Sequence, residues 1–194
     1  MTPSTAAIVP AAGAATRFGG NKLTADIAGR PLLDLTLHSL LDAGVPTVIL
    51  VAAATGAFPQ VPAAADRRVQ PAVNPEPARG MFSSIQCGLA QVPVDVSWII
   101  VLPADMPFVQ PATVSRLIDA AATGMGNSGA AYVPVFGGRR GHPIVLPAAL
   151  GEPLLEQPAS SNLKAALLSL RVPMRELTVD DPGVVRDVDV KADL

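Results

Sequence analysis

The sequence predicts an α/β domain with a mostly parallel sheet, and two observations lead to this expectation. Short aliphatic and β-branched runs alternate with segments that carry leucines at helical spacing. This is the order of strand–helix–strand units with right-handed crossovers. Two of the runs, residues 47–52 (TVILVA) and 98–102 (WIIVL), are almost entirely apolar, as is typical of strands covered on both faces. Since no repeat or low-complexity linker divides the chain, we expect a single domain over residues 1–194.

The first half of the chain has the most regular pattern. Its predicted elements are strands at residues 6–9, 47–52, 68–73 and 98–102 and helices at residues 31–43, 81–91 and 111–122. Pro31 suits the first turn of the first helix, and Gly44 is a suitable C-terminal stop for it.

The second half is less regular. Residues 130–147 are predicted to form a hairpin-like pair of strands around a Gly/Arg turn. Residues 161–170 read as an amphipathic helix capped by Ser160 or Ser161, and residues 174–179 as a late strand.

Composition and charge exclude several classes of function. With 49% hydrophobic and 15% charged residues, the chain is typical of a compact globular protein. The formal net charge of −2 gives no reason to expect a nucleic-acid partner. The single cysteine, Cys87, excludes an internal disulfide. Neither a signal-peptide pattern nor a membrane-spanning apolar run is apparent, so we expect a cytoplasmic protein without a membrane partner.

A glycine-rich segment, VPAAGAATRFGGNK at residues 9–22, directly follows the first predicted strand. Bare backbone and two cations, Arg17 and Lys22, favour a phosphate ligand. The alternative is a flexible surface loop with two solvated cations. Its position at the carboxyl edge of an α/β sheet favours ligand binding.

Two common phosphate loops do not match this segment. A P-loop needs Ser or Thr after Gly-Lys, whereas Asn21 precedes Lys22 and Leu23 follows it. A dinucleotide fingerprint needs a glycine where Ala15 stands and an acidic residue after the second strand, which ends in VAAATG.

Five motifs in order along the chain carry a family resemblance. They are VPAAGAATRFGGNKL with IAGRPLL, NPEPARGMFSSIQCGL (residues 74–89), VLPADMP (101–107), GGRRGHPIVL (137–146) and DVDVKADL (187–194). Together they resemble the nucleotidyltransferases of the molybdenum-cofactor family, and most closely its molybdopterin cytidylyltransferase-like branch. The resemblance implies a Rossmann-like three-layer α/β/α fold with a mostly parallel sheet.

Asp105 stands just beyond a buried strand and faces the same edge as the glycine-rich segment, where a carboxylate can hold Mg²⁺. A helix cap or a turn before Pro107 is an equally good interpretation from spacing alone. The resemblance, which places a metal-binding aspartate in this motif, favours the metal. Asp187 and Asp189 are candidates for a second metal ligand, with Asp189 preferred. The alternating D-V-D-V pattern is also typical of a strand end with solvated aspartates.

The resemblance also implies which residues meet the substrates. Arg17, Lys22 and Asp105 are the expected catalytic residues. The expected nucleotide-binding residues are Ala11, Ala12, Gly13, Arg17, Lys22, Asn74, Gly80, Ser83 and Ser84. Arg139, Arg140 and His142 are expected on the acceptor side, although a lone histidine is more often structural, and serines in a first helical turn are often caps.

The expected reaction is Mg²⁺-dependent transfer of a nucleoside monophosphate to a phosphorylated acceptor such as molybdopterin, with release of pyrophosphate. The methyl of Ala12 favours CTP over GTP because guanylyl members usually carry two glycines at this turn. Two alternatives remain open. One is a transferase of the same fold that uses GTP or another phosphorylated acceptor, such as a sugar, polyol or phospholactate. The other is a non-catalytic nucleotide-binding protein that serves a molybdoenzyme partner.

Overall fold

A computed structural model describes residues 4–13, 22–54, 58–124 and 129–189 of the chain. The strands are β1 (Thr5–Pro10), β2 (Asp26–Ile27), β3 (Arg30–Pro31), β4 (Val48–Ala53), β5 (Val69–Asn74), β6 (Trp98–Val101), β7 (Ala131–Phe136), β8 (Arg139–Arg140), β9 (Ile144–Pro147) and β10 (Met174–Thr178). The α-helices are α1 (Leu32–Asp42), α2 (Met81–Leu89), α3 (Pro111–Thr123), α4 (Gly151–Leu155) and α5 (Leu163–Ser169).

The main sheet has eight strands in the order β10-β7-β9-β6-β1-β4-β5, with β8 added beside β7. Strands β6, β1, β4 and β5 are parallel neighbours, as are β7 and β10, whereas β9 runs antiparallel between β6 and β7. Helices α1 and α3 pack in one apolar cluster, and α2, α4 and α5 pack in another. The predicted three-layer fold with a mostly parallel sheet is confirmed.

The sheet interior explains why the central strands read as continuous apolar runs. Every residue of β1 is buried, and successive side chains enter the two clusters alternately. Helix α1 places Leu33, Leu37, Leu40 and Leu41 in the first cluster and is followed by Gly44, whose φ of +82° is a left-handed conformation that suits glycine. No helix in the described part of the chain is long and apolar enough to cross a bilayer.

Two details of the second half differ from the sequence predictions. Residues 130–147 form three short strands rather than two, because the Gly137–Gly138 turn returns the chain into the two-residue strand β8 before β9 begins. The cap of α5 is Asn162 rather than either preceding serine, since its Oδ1 accepts a hydrogen bond from the N–H of Ala165 at 2.9 Å.

The strand order reverses at β1. The chain runs outward from β1 through β4 to β5 and then returns to β6 on the other side of β1. In open α/β sheets a crevice forms at such a point, beyond the carboxyl ends of the strands. The fold therefore places the residues after β1 and after β6 side by side.

The segment of residues 181–189, here named the C-terminal strap, crosses this same edge of the sheet. Buried Asp181 anchors its start by accepting hydrogen bonds from Thr113 Oγ1 at 2.7 Å and from the N–H of Gln110 at 3.0 Å. Farther along, the N–H of His142 donates to the Val184 carbonyl at 2.8 Å, and the N–H of Val188 donates to the Asp105 carbonyl at 3.0 Å. The strap is thereby fixed to the residues that follow β6.

Candidate functional site

A cavity of about 350 Å³ lies in the crevice where the strand order reverses. Four parts of the chain that are distant in sequence form its walls: residues 10–13 after β1, residues 103–105 after β6, the start of α2, and the end of the strap at Asp189. Lys22, Leu23 and Pro77 complete the lining. In this chain the crevice is therefore a formed cavity of a size typical of small-ligand sites.

The wall that follows β1 is mostly backbone. The N–H of Ala11 donates to the Val51 carbonyl at 2.8 Å, which continues the sheet one residue beyond β1. Ala12 is buried, whereas Gly13 is exposed, and a Cβ built on it would meet no atom of the described residues within 4 Å. Because the protein itself leaves room for a side chain at Gly13, the bare backbone there is available for close approach by a ligand.

Lys22 pairs with two carboxylates in the wall of this cavity. Its Nζ lies 2.9 Å from Asp105 Oδ2 and 3.1 Å from Asp189 Oδ1. The Lys22 side chain is only 11% exposed, against 30% for Asp105 and 52% for Asp189. This cluster of one ammonium and two carboxylates is named the Lys22 cluster.

The ionisation of Lys22 follows from these contacts. Burial lowers its pKa, but the hydrogen bonds and negative charges of Asp105 and Asp189 outweigh that effect, so the pKa of Lys22 is raised overall. A lysine whose pKa is raised stays protonated throughout the physiological range. Lys22 therefore provides a fixed positive charge in the cavity.

Hydrogen bonds to the preceding residue, Ala104, and to its own carbonyl hold the backbone of Asp105 in place. Ala104 makes two hydrogen bonds: its N–H donates to the Pro10 carbonyl at 3.3 Å, and its carbonyl accepts from Thr36 Oγ1 at 2.9 Å. Asp105 does not cap the following helix, because the N-cap of α3 is Gln110. The Asp105 carboxylate instead points to Lys22 and into the cavity.

The donor set of the Lys22 cluster suits a hard divalent cation. Two carboxylates converge on one positive charge, and carboxylate oxygens are the protein ligands that Mg²⁺ and Mn²⁺ prefer. Within the described ranges no group of three or more His, Cys, Asp or Glu side chains is placed to hold a metal. Such a cation would therefore have two protein carboxylates and would need further oxygen ligands from water or a bound phosphate.

The expected nucleotide-binding residues around α2 divide into two groups. Gly80 and Ser84 line the cavity. Asn74 and Ser83 are buried behind it: Asn74 Nδ2 donates to Ser83 Oγ at 2.8 Å and to Ser84 Oγ at 2.9 Å, and Asn74 Oδ1 accepts from the N–H of Glu76 at 2.9 Å. Both amide hydrogens and the carbonyl oxygen of Asn74 are thus used to hold this wall in place.

The three residues expected on the acceptor side lie in or near a second cavity. Arg140 and His142 line it, whereas Arg139 is exposed on β8. The Arg140 guanidinium is paired with Glu176, with Nε 2.7 Å from Glu176 Oε1. Burial lowers the pKa of His142, and the charges of Asp105 and Asp187 oppose this without cancelling it, so the imidazole is neutral at pH 7.

Sequence patterns missed the apolar part of the site. Met81 and Pro103 line both cavities and so connect them. The sequence offered little signal for them, because an apolar residue at a helix start or after a strand reads as ordinary packing. Arg17, the other cation expected at the phosphates, lies outside the residues that the structure describes.

Comparison with known proteins gives a consistent picture. Residues 7–173 match the MobA-like NTP transferase domain. The bifunctional protein GlmU of Mycolicibacterium gilvum is 32% identical over 122 residues, which cover 58% of this chain and 24% of that protein. The chain thus spans about a quarter of the length of the curated relatives it matches.

Solved structures agree over the whole fold. Rv0371c from Mycobacterium tuberculosis H37Rv superimposes with a TM-score of 0.78 at 26% identity, covering 100% of this chain and 96% of that one. Its manganese complex gives a TM-score of 0.72 at 23% identity over 98% of this chain and 95% of that one. A nucleotidyl transferase from Methanothermobacter, Mth528, gives 0.77 at 19% identity, covering 97% and 93%. With a domain match over most of its length and the nucleotidyltransferase fold, this chain belongs to the MobA-like NTP transferase family.

Proposed function

We propose that this protein transfers a nucleoside monophosphate, CMP from CTP, to a phosphorylated acceptor and releases pyrophosphate. The observation that carries the proposal is the Lys22 cluster, which faces the bare backbone of residues 11–13 across one cavity. Exposed backbone, a fixed cation and two metal-ligating carboxylates are the components that a triphosphate and its metal require.

We further propose that Asp105 and Asp189 hold a divalent cation, Mg²⁺ in the cell. The manganese complex of Rv0371c supports a divalent ion in this fold. When bound, the ion would neutralise charge on the triphosphate and on the departing pyrophosphate. Lys22, which pairs with the same two carboxylates, then has phosphate oxygens available as alternative partners. Arg17 is proposed as a second phosphate contact.

The chemistry needs no general base from this chain. An acceptor phosphate oxygen, already ionised at pH 7, attacks the α-phosphorus of the nucleotide, and the bond from that phosphorus to the pyrophosphate oxygen breaks. The chain's contribution is to place the two reactants and to stabilise the charge on the leaving group. Neutral His142 suits a hydrogen-bonding role toward the acceptor rather than proton abstraction from it.

Molybdopterin is the acceptor that the family resemblance implies, and a molybdoenzyme would then be the partner that receives the product. We propose the cytoplasm as the site of this activity. The test of the acceptor is pyrophosphate release across four nucleoside triphosphates and several phosphorylated acceptors that include molybdopterin, sugar phosphates and polyol phosphates. Release that depends on neither nucleotide nor acceptor would contradict the proposed transfer.

The ligand class is tested by thermal stability. A nucleoside triphosphate with Mg²⁺, at a hundredfold excess over its Kd, is expected to stabilise the protein by about 2.7 kcal/mol. NAD is the control and is expected to leave the melting temperature unchanged. A shift with NAD and none with any triphosphate would contradict the assignment of residues 9–22 to phosphate binding.

The choice of nucleotide is tested at Ala12. Its buried methyl lies in the wall of the cavity and narrows the space for a purine, so we expect a higher kcat/KM for CTP than for GTP. Ala12→Gly removes that methyl and is expected to reduce the preference. Steady-state kinetics with both nucleotides measure it, and a wild-type preference for GTP would refute the steric argument.

A further inference from the structure

The second cavity, of about 480 Å³, lies between α2 and α5 on one face of the sheet. It adjoins the first cavity, which holds the Lys22 cluster, because Met81 and Pro103 belong to both walls. An acceptor whose phosphate reaches the Lys22 cluster must place the rest of its body beside that cluster. The adjoining cavity is the space that the fold provides for it.

The walls of this cavity are aliphatic on both sides. The sheet contributes Val133 from β7, Ile144 from β9 and Met174 from β10. Helix α5 contributes Leu167 and Leu168 from the opposite side. A ligand body in contact with these side chains gains from the removal of its own apolar surface from water, whereas buried polar groups without partners cost free energy.

Few polar groups of the described chain face this space, and most are already engaged. Arg140 is paired with Glu176, and the amide oxygen of Asn162 caps α5. His142 is neutral. Lys164, exposed at the rim, makes no ion pair with any residue in the described ranges, so it adds positive charge that favours an anionic acceptor.

We propose that the acceptor is a phosphate monoester with an aliphatic body, and that the body binds between α2 and α5. This inference rests on the proposed transferase function and specifies its substrate class. A polyol or pterin body would bury hydroxyls or ring nitrogens against the side chains of Val133, Ile144 and Leu167, where these groups would lack partners.

The test is a series of n-alkyl monophosphates from methyl to hexyl, with pyrophosphate release measured in the presence of CTP and Mg²⁺ or Mn²⁺. We expect kcat/KM to rise by up to about fourfold for each added methylene until the cavity is filled. Propyl phosphate is expected to be a better acceptor than glycerol 3-phosphate, which has the same number of carbons but two hydroxyls.

The Leu168→Gln variant tests whether the dependence on alkyl chain length arises in this cavity. Leu168 is 78% exposed, so the variant is expected to fold, and Leu155→Gln is the matched control because Leu155 is also exposed but lies outside this cavity. The loss caused by Leu168→Gln is expected to grow with chain length and to reach about three- to tenfold for hexyl phosphate. No loss, or an equal loss in the Leu155 variant, would overturn the assignment of the aliphatic body to this cavity.

Failure of this inference is distinguishable from failure of the transferase proposal. Pyrophosphate release with polyol or pterin phosphates but no dependence on alkyl chain length would overturn the aliphatic acceptor and retain the transfer. If no acceptor supports release, the proposed transfer is refuted. Titration calorimetry with hexyl phosphate then tests whether the second cavity binds an aliphatic body. Binding with a negative heat-capacity change supports the cavity assignment, and absence of binding overturns it.

Discussion

Asp105→Asn is expected to reduce the rate of nucleotidyl transfer by a hundredfold or more, on the order of what the loss of one charge-stabilising group costs an enzyme. The amide keeps the size of the carboxylate and can still accept a hydrogen bond from Lys22 Nζ, now 2.9 Å from Asp105 Oδ2. It is a poor ligand for Mg²⁺, so the charge of the triphosphate is left uncompensated. Added Mg²⁺ is expected to restore only a fraction of the rate.

The stability of the same variant separates this role from a structural one. The Lys22–Asp105 pair is partly exposed, so its weakening is expected to cost at most about 1 kcal/mol of unfolding free energy. Asp95→Asn is the matched control, because Asp95 is exposed on the loop that precedes β6, at the opposite end of the strand. Wild-type turnover in the Asp105 variant would contradict the metal assignment and direct attention to Asp189.

Gly183→Ala is expected to destabilise the protein by about 3 kcal/mol, and to lower its melting temperature by about 6–12 °C. A Cβ on Gly183 would lie 2.0 Å from the Phe108 carbonyl oxygen and 2.3 Å from its carbonyl carbon. These are backbone atoms, so the overlap is relieved only if the C-terminal strap moves away from the loop before α3. We expect this movement to displace Asp189 from Lys22 and to reduce transfer as well.

Gly151→Ala is the control for a general effect of adding a methyl group. A Cβ on Gly151 would make only an ordinary contact, 3.9 Å from Ile99 Cδ1, and Gly151 lies in α4, away from the strap. This variant is expected to match the wild type in melting temperature to within a few degrees and to retain activity. Similar melting temperatures for the Gly183 and Gly151 variants would show that the strap is not packed as described.

The sequence by itself determined the central architecture. The apolar runs of β1, β4 and β6 and the leucine spacing of α1 are local patterns, and each matches an element to within one or two residues. Position after a strand also led to Asp105 and to residues 11–13, because in a parallel sheet the carboxyl ends of strands lie at a common edge. Position after a strand thus predicted that these residues meet at one edge of the sheet, whereas their assignment to a metal and a nucleotide came from the family resemblance.

Only the tertiary structure decided how Asp189 contributes to the Lys22 cluster. Asp189 reaches Lys22 across 167 positions of sequence, and it does so in a segment with no strand among residues 186–189, where the alternating pattern indicated one. Its position depends on the hydrogen bonds that Asp181 accepts from Gln110 and Thr113 and on the one that the strap donates to the Asp105 carbonyl, which local periodicity does not encode.

The same limit applies to Asn74 and to the aliphatic cavity. Asn74 stands in a motif that resembles a nucleotide site, yet its amide is used by two serines and a backbone N–H. The aliphatic residues that line the cavity between α2 and α5, such as Val133, Ile144 and Leu167, come from the sheet and from two helices, and in sequence each is indistinguishable from a core residue. Whether an apolar side chain fills the core or faces a cavity depends on the gap between packed elements, and that gap exists only after the chain has folded.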